Sequence, residues 1–368
     1  MEIRDTLKMV KSPKTTIAVL GPASPSPLGE GLGWGVRTSR STLPSPNLSP
    51  EGERLQIIDT GLPLDWLADE PAQVFTAGDH IATLARDLNA DLIHLNSPTL
   101  AARARFSAPV VAAAHGCVGT WWQAARGTAP DPDYAWHADL MAAGLRAADT
   151  VVAPTSAFAA TLQRTYDLLQ PPLAIHNGRT PLSLPDAAQS DAVLTTGRLW
   201  DEVKGATTLD QVAALVDTPF RAAGPLTGPH GESVTLRHLH HLGTLGETAL
   251  AAELAGRPIF VSAATFEPFG LSVLEAAQAG CPLILSDIDT FRELWTGAAL
   301  FVPARDPQGY ADAIVRIRTD TALRTHLSEV ARLRAMRYTP QAQAGAMAAI
   351  YAGLLAQPAQ SRPERAAA

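Results

Sequence analysis

Short apolar, β-branched runs alternate with Ala- and Leu-rich stretches along almost the whole chain. In the first half, Thr16–Leu20, Leu55–Asp59, Asp91–Leu95, Pro109–Ala114, Thr150–Ala153 and Leu173–His176 have the length and composition of buried strands. Between them, Asp79–Leu88, Tyr134–Ala147 and Ala157–Tyr166 carry helical spacing. The pattern then restarts. Ala192–Thr196, Val234–Leu239, Ile259–Ser262, Pro282–Ser286 and Ala299–Val302 read as strands. Thr207–Leu215, Glu247–Ala255, Leu271–Ala279, Gln308–Thr319, Ala322–Arg337 and Pro340–Leu355 read as helices. Strand–helix alternation of this kind predicts an α/β protein of two doubly wound halves with parallel sheets. Such sheets bind ligands at the carboxyl ends of their strands, so a cleft between the halves is the expected place for a ligand.

The break falls in the Pro-containing stretch Thr180–Ser190. The expected organisation is an N-terminal Rossmann-like domain over 1–180, a C-terminal one over 181–339, a helix over 340–357 returning to the N-terminal domain, and a disordered tail over 358–368. Residues 22–54 break the alternation. They are rich in Pro, Ser and Gly, and Ser26-Pro27-Leu28-Gly29-Glu30 is echoed by Ser49-Pro50-Glu51-Gly52-Glu53. This reads as a low-complexity insertion. Its glycines at 29, 31, 33 and 35 match neither G-x-G-x-x-G nor a Walker A loop.

Composition narrows the class. The chain has 368 residues, 46% of them hydrophobic and 18% charged, enough to build cores in both halves. Its 29 basic and 36 acidic residues leave a net charge of -7, and no basic run stands out. Nucleic acid is therefore not an expected partner. No apolar run is long enough to span a membrane and the charged N-terminus has no signal-peptide pattern, so a cytoplasmic location is expected, with peripheral membrane contact left open. Cys117 and Cys281 form no Cys-x-x-Cys pair and read as inert core residues. His238, His240 and His241 lack an acid or Cys at ligand spacing, so no metal site is expected.

The most informative segment is Glu267-Pro268-Phe269-Gly270-Leu271-Ser272-Val273-Leu274-Glu275. It follows a strand and opens a helix. Gly270 allows a tight turn that brings backbone N–H groups close to a ligand. The first N–H groups of the helix lack intrahelical partners and sit at its positive end, which suits phosphate. Glu267 lies just before that end and Glu275 within the first turns on the same side. Two carboxylates so placed suit the hydroxyls at the two ends of a nucleotide sugar. Taken singly, each acid would read as an ordinary helix-terminal or solvated residue.

With Ala276-Ala277-Gln278-Ala279-Gly280-Cys281-Pro282 after it, the segment resembles the donor site of the glycosyl transferases group 1 family, also called glycosyltransferase family 4. The resemblance runs from about Thr150 to Ala356. It implies the two-domain GT-B fold and a glycosyltransferase of hexosyltransferase type, with Phe269, Gly270, Leu271 and Glu275 binding the donor. Thr196-Gly197-Arg198-Leu199-Trp200-Asp201-Glu202-Val203-Lys204-Gly205 matches the segment whose Arg and Lys grip the diphosphate in that family. Without the resemblance, Arg198 and Lys204 would read as a solvated pair. His115-Gly116 matches a His-Gly that faces the transferred sugar in family members; a satisfied core histidine is the other reading. Trp121 and Trp122 could stack on an acceptor sugar or simply fill a core. His176-Asn177-Gly178-Arg179 reads as a turn.

The resemblance implies transfer of a sugar from a nucleoside-diphosphate sugar to an unidentified acceptor, with retention and without a metal or other cofactor. The donor phosphate would take the acceptor's proton. Catalytic roles then fall to His115, Arg198, Lys204 and Glu267. The family's glycine-pair loop after the first strand is missing here, since Gly21-Pro22 leads into the insertion. That keeps two alternatives: a catalytically impaired relative that binds nucleotide sugar, and a sugar-nucleotide epimerase of the same fold.

Overall fold

The computed structural model describes residues 18–19, 56–58, 60–63 and 65–357. The insertion at 22–54, the charged N-terminal residues and the tail at 358–368 lie outside the described residues. The chain divides into two compact units. One covers Asn177–Ala342; the other gathers the described residues up to His176 with those from Gln343 onward.

In the first-encoded unit, β1 (Ala18–Val19) and β2 (Gln56–Ile57) form a parallel pair. After α1 (Pro71–Asp87), β3 (Ile93–Leu95) and β4 (Val110–Ala113) lead to α2 (Val118–Arg126) and α3 (Pro132–Ala147). Then come β5 (Thr150–Ala153), α4 (Ser156–Tyr166) and β6 (Leu173–Ala174). The second sheet has the order β3-β4-β5-β6, all parallel. Its centre is β4, buried at all four positions, as expected of a parallel strand covered on both faces. Thr155 caps α4 by accepting a hydrogen bond from the Phe158 N–H at 3.1 Å.

The Asn177–Ala342 unit begins with β7 (Val193–Thr196), α5 (Ala206–Leu215), β8 (Phe220–Ala223) and β9 (His240–His241). It continues through α6 (Glu247–Ala255), β10 (Ile259–Ser262), α7 (Leu271–Gln278), β11 (Leu283–Ser286), α8 (Asp289–Trp295) and β12 (Ala299–Val302). The helices α9 (Pro307–Thr319) and α10 (Thr321–Ala335) follow. The strand order β12-β11-β10-β7-β8-β9 is fully parallel and reverses direction between β7 and β10. That reversal point is where open α/β sheets leave a crevice for a ligand. Phe260, Leu274, Phe291 and Trp295 belong to one core of this unit, and Ile259, Ile284, Tyr310 and Ile314 to a second.

The last helix, α11 (Pro340–Leu355), puts Met347, Tyr351 and Leu354 against Val111, Ala113 and Val152 of β4 and β5. Tyr351 Oη and His94 Nδ1 share a hydrogen bond of 2.5 Å. Among the described residues, no helix is long and apolar enough to cross a membrane.

Several elements depart from the pattern read from sequence. Val234–Leu239 is not a strand; pairing begins at His240. The apolar residues Val234 and Leu236 mimic strand alternation, but the N–H groups of Arg237, His238 and Leu239 all donate to Asp210 Oδ1, at 2.9, 2.9 and 3.0 Å. Backbone committed to one carboxylate cannot continue a ladder, and His238 therefore does not share a strand face with His240. Conversely β8, Phe-Arg-Ala-Ala, carries little strand signal and forms because Phe220, Ala222 and Ala223 are buried. The helix expected from Asp79 starts at Pro71, whose fixed φ suits a first helical turn. The sequence pattern gives no warning of α2 and α8; Gly119, Thr120 and two tryptophans make α2 weak by propensity. The strand expected to reach His176 stops at Ala174.

Candidate functional site

The loops after β7 and β10 meet at the reversal point of the larger sheet. The Thr265 N–H donates to the Val203 carbonyl at 2.8 Å, which ties the two loops together. Gly205 (φ +71°) permits the approach: a Cβ there would collide with the Ala263 carbonyl oxygen. The result is that Lys204, on the first loop, reaches Glu267, on the second. Its Nζ donates to Glu267 Oε2 at 2.8 Å, and both side chains are largely buried.

Burial by itself would raise the Glu267 carboxyl. Lys204, Arg198 and the Phe269 N–H outweigh that effect and hold it below the ordinary carboxylate range. Arg198 donates through Nη2 to Asp201 Oδ2 at 2.9 Å, and its guanidinium lies 5.8 Å from the Trp200 ring. Asp201 also accepts from the Val203 N–H at 3.4 Å, so the pair is built into the loop turn. Both predicted diphosphate cations thus stand in one electrostatic neighbourhood with Glu267.

Gly270, at the N-cap of α7, has φ +91°, a conformation few side chains tolerate. Leu271 opens the helix and is half-buried. Phe269 sends its ring into the core, 5.7 Å edge-on from Tyr338, so its ring is a support beneath the loop. Glu275 forms an ion pair through Oε1 with Arg179 Nε. Burial raises the Glu275 carboxyl, Arg179 lowers it and Glu247 raises it again, leaving it above the ordinary value. Sequence alone gives Arg179 no role, because it lies in a turn nearly a hundred positions from its partner.

The remaining predicted residues belong to the other unit. His115 stands just beyond the carboxyl end of β4, and its Nε2 hydrogen-bonds Asn96 Oδ1 at 3.3 Å. Burial pushes its imidazole down to about 4, so it is neutral at neutral pH. His94, one strand over, is lowered to about 4 by burial and by His115. Neither His94 nor Asn96 stands out in sequence; both lie at the end of β3, next to β4, where a parallel sheet collects polar groups. Trp122 is 6% exposed and packs at 5.4 Å from Tyr134, so it serves the interior. Trp121 is half-buried, edge-on to Trp122, with the Arg126 guanidinium 5.7 Å from its ring. Cys281 is buried, while Cys117 Sγ lies 2.9 Å from Tyr166 Oη at the start of α2; burial raises both thiols.

Two parallel α/β domains with cations and acids gathered at a sheet reversal define the GT-B class of glycosyltransferase fold. Residues 190–320 match the family model for glycosyl transferases group 1, and residues 36–180 match that for glycosyltransferase family 4. The chain belongs to this family. It is 28% identical to a D-inositol 3-phosphate glycosyltransferase of Corynebacterium urealyticum, over 52% of this chain and 49% of that protein. Among solved structures it resembles sucrose-phosphate synthase from Thermosynechococcus elongatus, with a TM-score of 0.65, 22% identity, and 78% and 79% of the two chains covered. It also resembles Anabaena HepE in complex with UDP-glucose, with a TM-score of 0.61, 18% identity, and 81% and 85% covered. The matches to the first curated relatives span 25%, 42% and 49% of those proteins' lengths.

Proposed function

We propose that the protein is a retaining glycosyltransferase that moves a sugar from a nucleoside-diphosphate sugar to an acceptor hydroxyl. The observation that carries this reading is the Lys204–Glu267 pair at the reversal point of the sheet, with Arg198 within electrostatic reach. In this reading Arg198 and Lys204 exchange carboxylate partners for the donor diphosphate, assisted by the N–H groups at the start of α7. Glu267 hydrogen-bonds the transferred sugar, and the neutral imidazole of His115 suits a sugar hydroxyl. Glu275 receives the ribose hydroxyls.

The bond from the anomeric carbon to the diphosphate oxygen breaks as the acceptor oxygen approaches on the same face. The acceptor proton passes to the departing phosphate oxygen, and the two cations stabilise the charge developing there. The Anabaena HepE structure is a complex with UDP-glucose, which makes a uridine donor the first to test. The acceptor is a glycan, a lipid or a small molecule.

Thermal-shift measurements with UDP-, GDP- and ADP-sugars, followed by a donor-hydrolysis assay, test the reading. One family of donors should raise the melting temperature, because a ligand that binds the folded state stabilises it. It should also be hydrolysed slowly without acceptor. Absence of any shift, with no hydrolysis, would remove the proposal.

A further inference from the structure

Taken alone, Glu275 is one acid on a helix. Its surroundings are more specific. The α7 helix grips residue 179 with two side chains one turn apart: Glu275 pairs with the Arg179 guanidinium, and Gln278 Nε2 donates to the Arg179 carbonyl at 2.8 Å. The Arg179 N–H in turn donates to the Tyr338 carbonyl at 3.2 Å. The side chain, the N–H and the carbonyl of Arg179 are therefore all engaged, two of them by α7. The side chains of Arg179 and Glu275 keep only 25% and 12% of their surfaces exposed, so the pair is shielded from solvent screening.

The geometry points to Arg179 as a positioning residue for donor recognition: it fixes one carboxylate oxygen of Glu275, so that the other is presented to the ribose hydroxyls of a nucleoside diphosphate. This rests on the donor reading given above. The chemistry follows from the charges around Glu275. Burial and the Glu247 carboxylate of α6 both oppose its ionisation, and Arg179 is the cation that counters them. A hydrogen bond from a hydroxyl to an ionised carboxylate is about twice as strong as one to a neutral group. Without Arg179, burial and Glu247 lose the cation that opposes them, and the Glu275 carboxylate loses the partner that fixes its orientation.

The test uses the full chain with UDP, GDP, ADP and their 2′-deoxy counterparts, by calorimetry at pH 7. Arg179→Met should weaken binding of the preferred diphosphate by about tenfold at pH 7. The loss should be much smaller for the 2′-deoxy ligand. Arg179→Lys should restore most of the affinity, and it replaces Arg179→Met if the latter fails to fold. In a Glu275→Gln background, Arg179→Met should cause little further loss. Equal losses for ribo and deoxy ligands, or no loss at all, would overturn the inference. If the wild-type chain binds none of the three diphosphates, the donor reading itself fails, and the inference falls with it.

Discussion

Lys204 Nζ and Glu267 Oε2 lie 2.8 Å apart although 63 positions separate them in the chain. Each neutralises the other before any donor arrives. Lys204→Ala should therefore have two separable effects. Loss of a cation at the leaving diphosphate should lower kcat by roughly 100-fold or more. Leaving a largely buried carboxylate without its partner should also lower stability, by about 1–3 kcal/mol. Single-turnover kinetics and urea unfolding read the two effects apart; an unchanged rate would remove Lys204 from the diphosphate site.

Gly205 offers a control on geometry without touching charge. With φ +71° and no room for a Cβ against the Ala263 carbonyl, Gly205→Ala must shift the loop that carries Lys204. Activity should fall although Lys204 and Glu267 are both still present in the chain. Strain of about 1–3 kcal/mol is expected in the unfolding free energy. Wild-type kcat and stability together would show that the loop tolerates the displacement.

Acidity acts through two histidines. His94 and His115 are both lowered to about 4 from an ordinary value of 6.5. Between pH 6.5 and 4 the unfolded chain takes up protons that the folded one refuses, so stability falls as pH drops through that window. The combined loss at pH 5 should be on the order of 2–4 kcal/mol. Imidazole resonances titrated by NMR should stay in their neutral positions at pH 6; a midpoint near 6.5 for either ring would contradict this.

Asp210 behaves in the opposite sense. Burial favours its protonated form, but the N–H donors from Leu239, His238 and Arg237, with His238 nearby, hold it below the ordinary value. Its contribution is complete above about pH 4 and is lost as pH falls through the lowered value. Asp210→Asn should remove that part of the acid-unfolding slope. Asp210→Ala should cost about 1–3 kcal/mol, since the buried Leu239 N–H loses its acceptor. Matching acid profiles for wild type and Asp210→Asn would mean the carboxylate does not hold the turn.

What is legible in the chain and what is not follow from the range of the forces involved. The strand–turn–helix around Gly270 is readable because a buried run, a glycine and a helical period are adjacent in sequence. Thr196–Gly205 and His115 are readable by their likeness to known motifs. The pairing of Arg179 with Glu275 is not, because it is made by folding and leaves no local trace. Phe269 is readable as part of the motif, but the edge-on packing of its ring against Tyr338 is made by folding and leaves no local trace. Val234 and Leu236 alternate like a strand, and only Asp210, on a different element, decides otherwise. β8 escapes notice because Arg221 interrupts it; Glu253 on α6 accepts from Arg221 at 2.8 Å and makes the strand tolerable.

The position of α11 carries a consequence for how the protein is made. Val111 and Ala113 are synthesised early, yet the side chains that cover them, Met347, Tyr351 and Leu354, are among the last described residues to be made. At roughly 5–20 residues per second, a ribosome takes on the order of 10–50 seconds to travel from one to the other. During that interval the apolar face of β4 and β5 lacks the part of its cover that Met347, Tyr351 and Leu354 supply, so this side of the sheet can be packed only after α11 has been made.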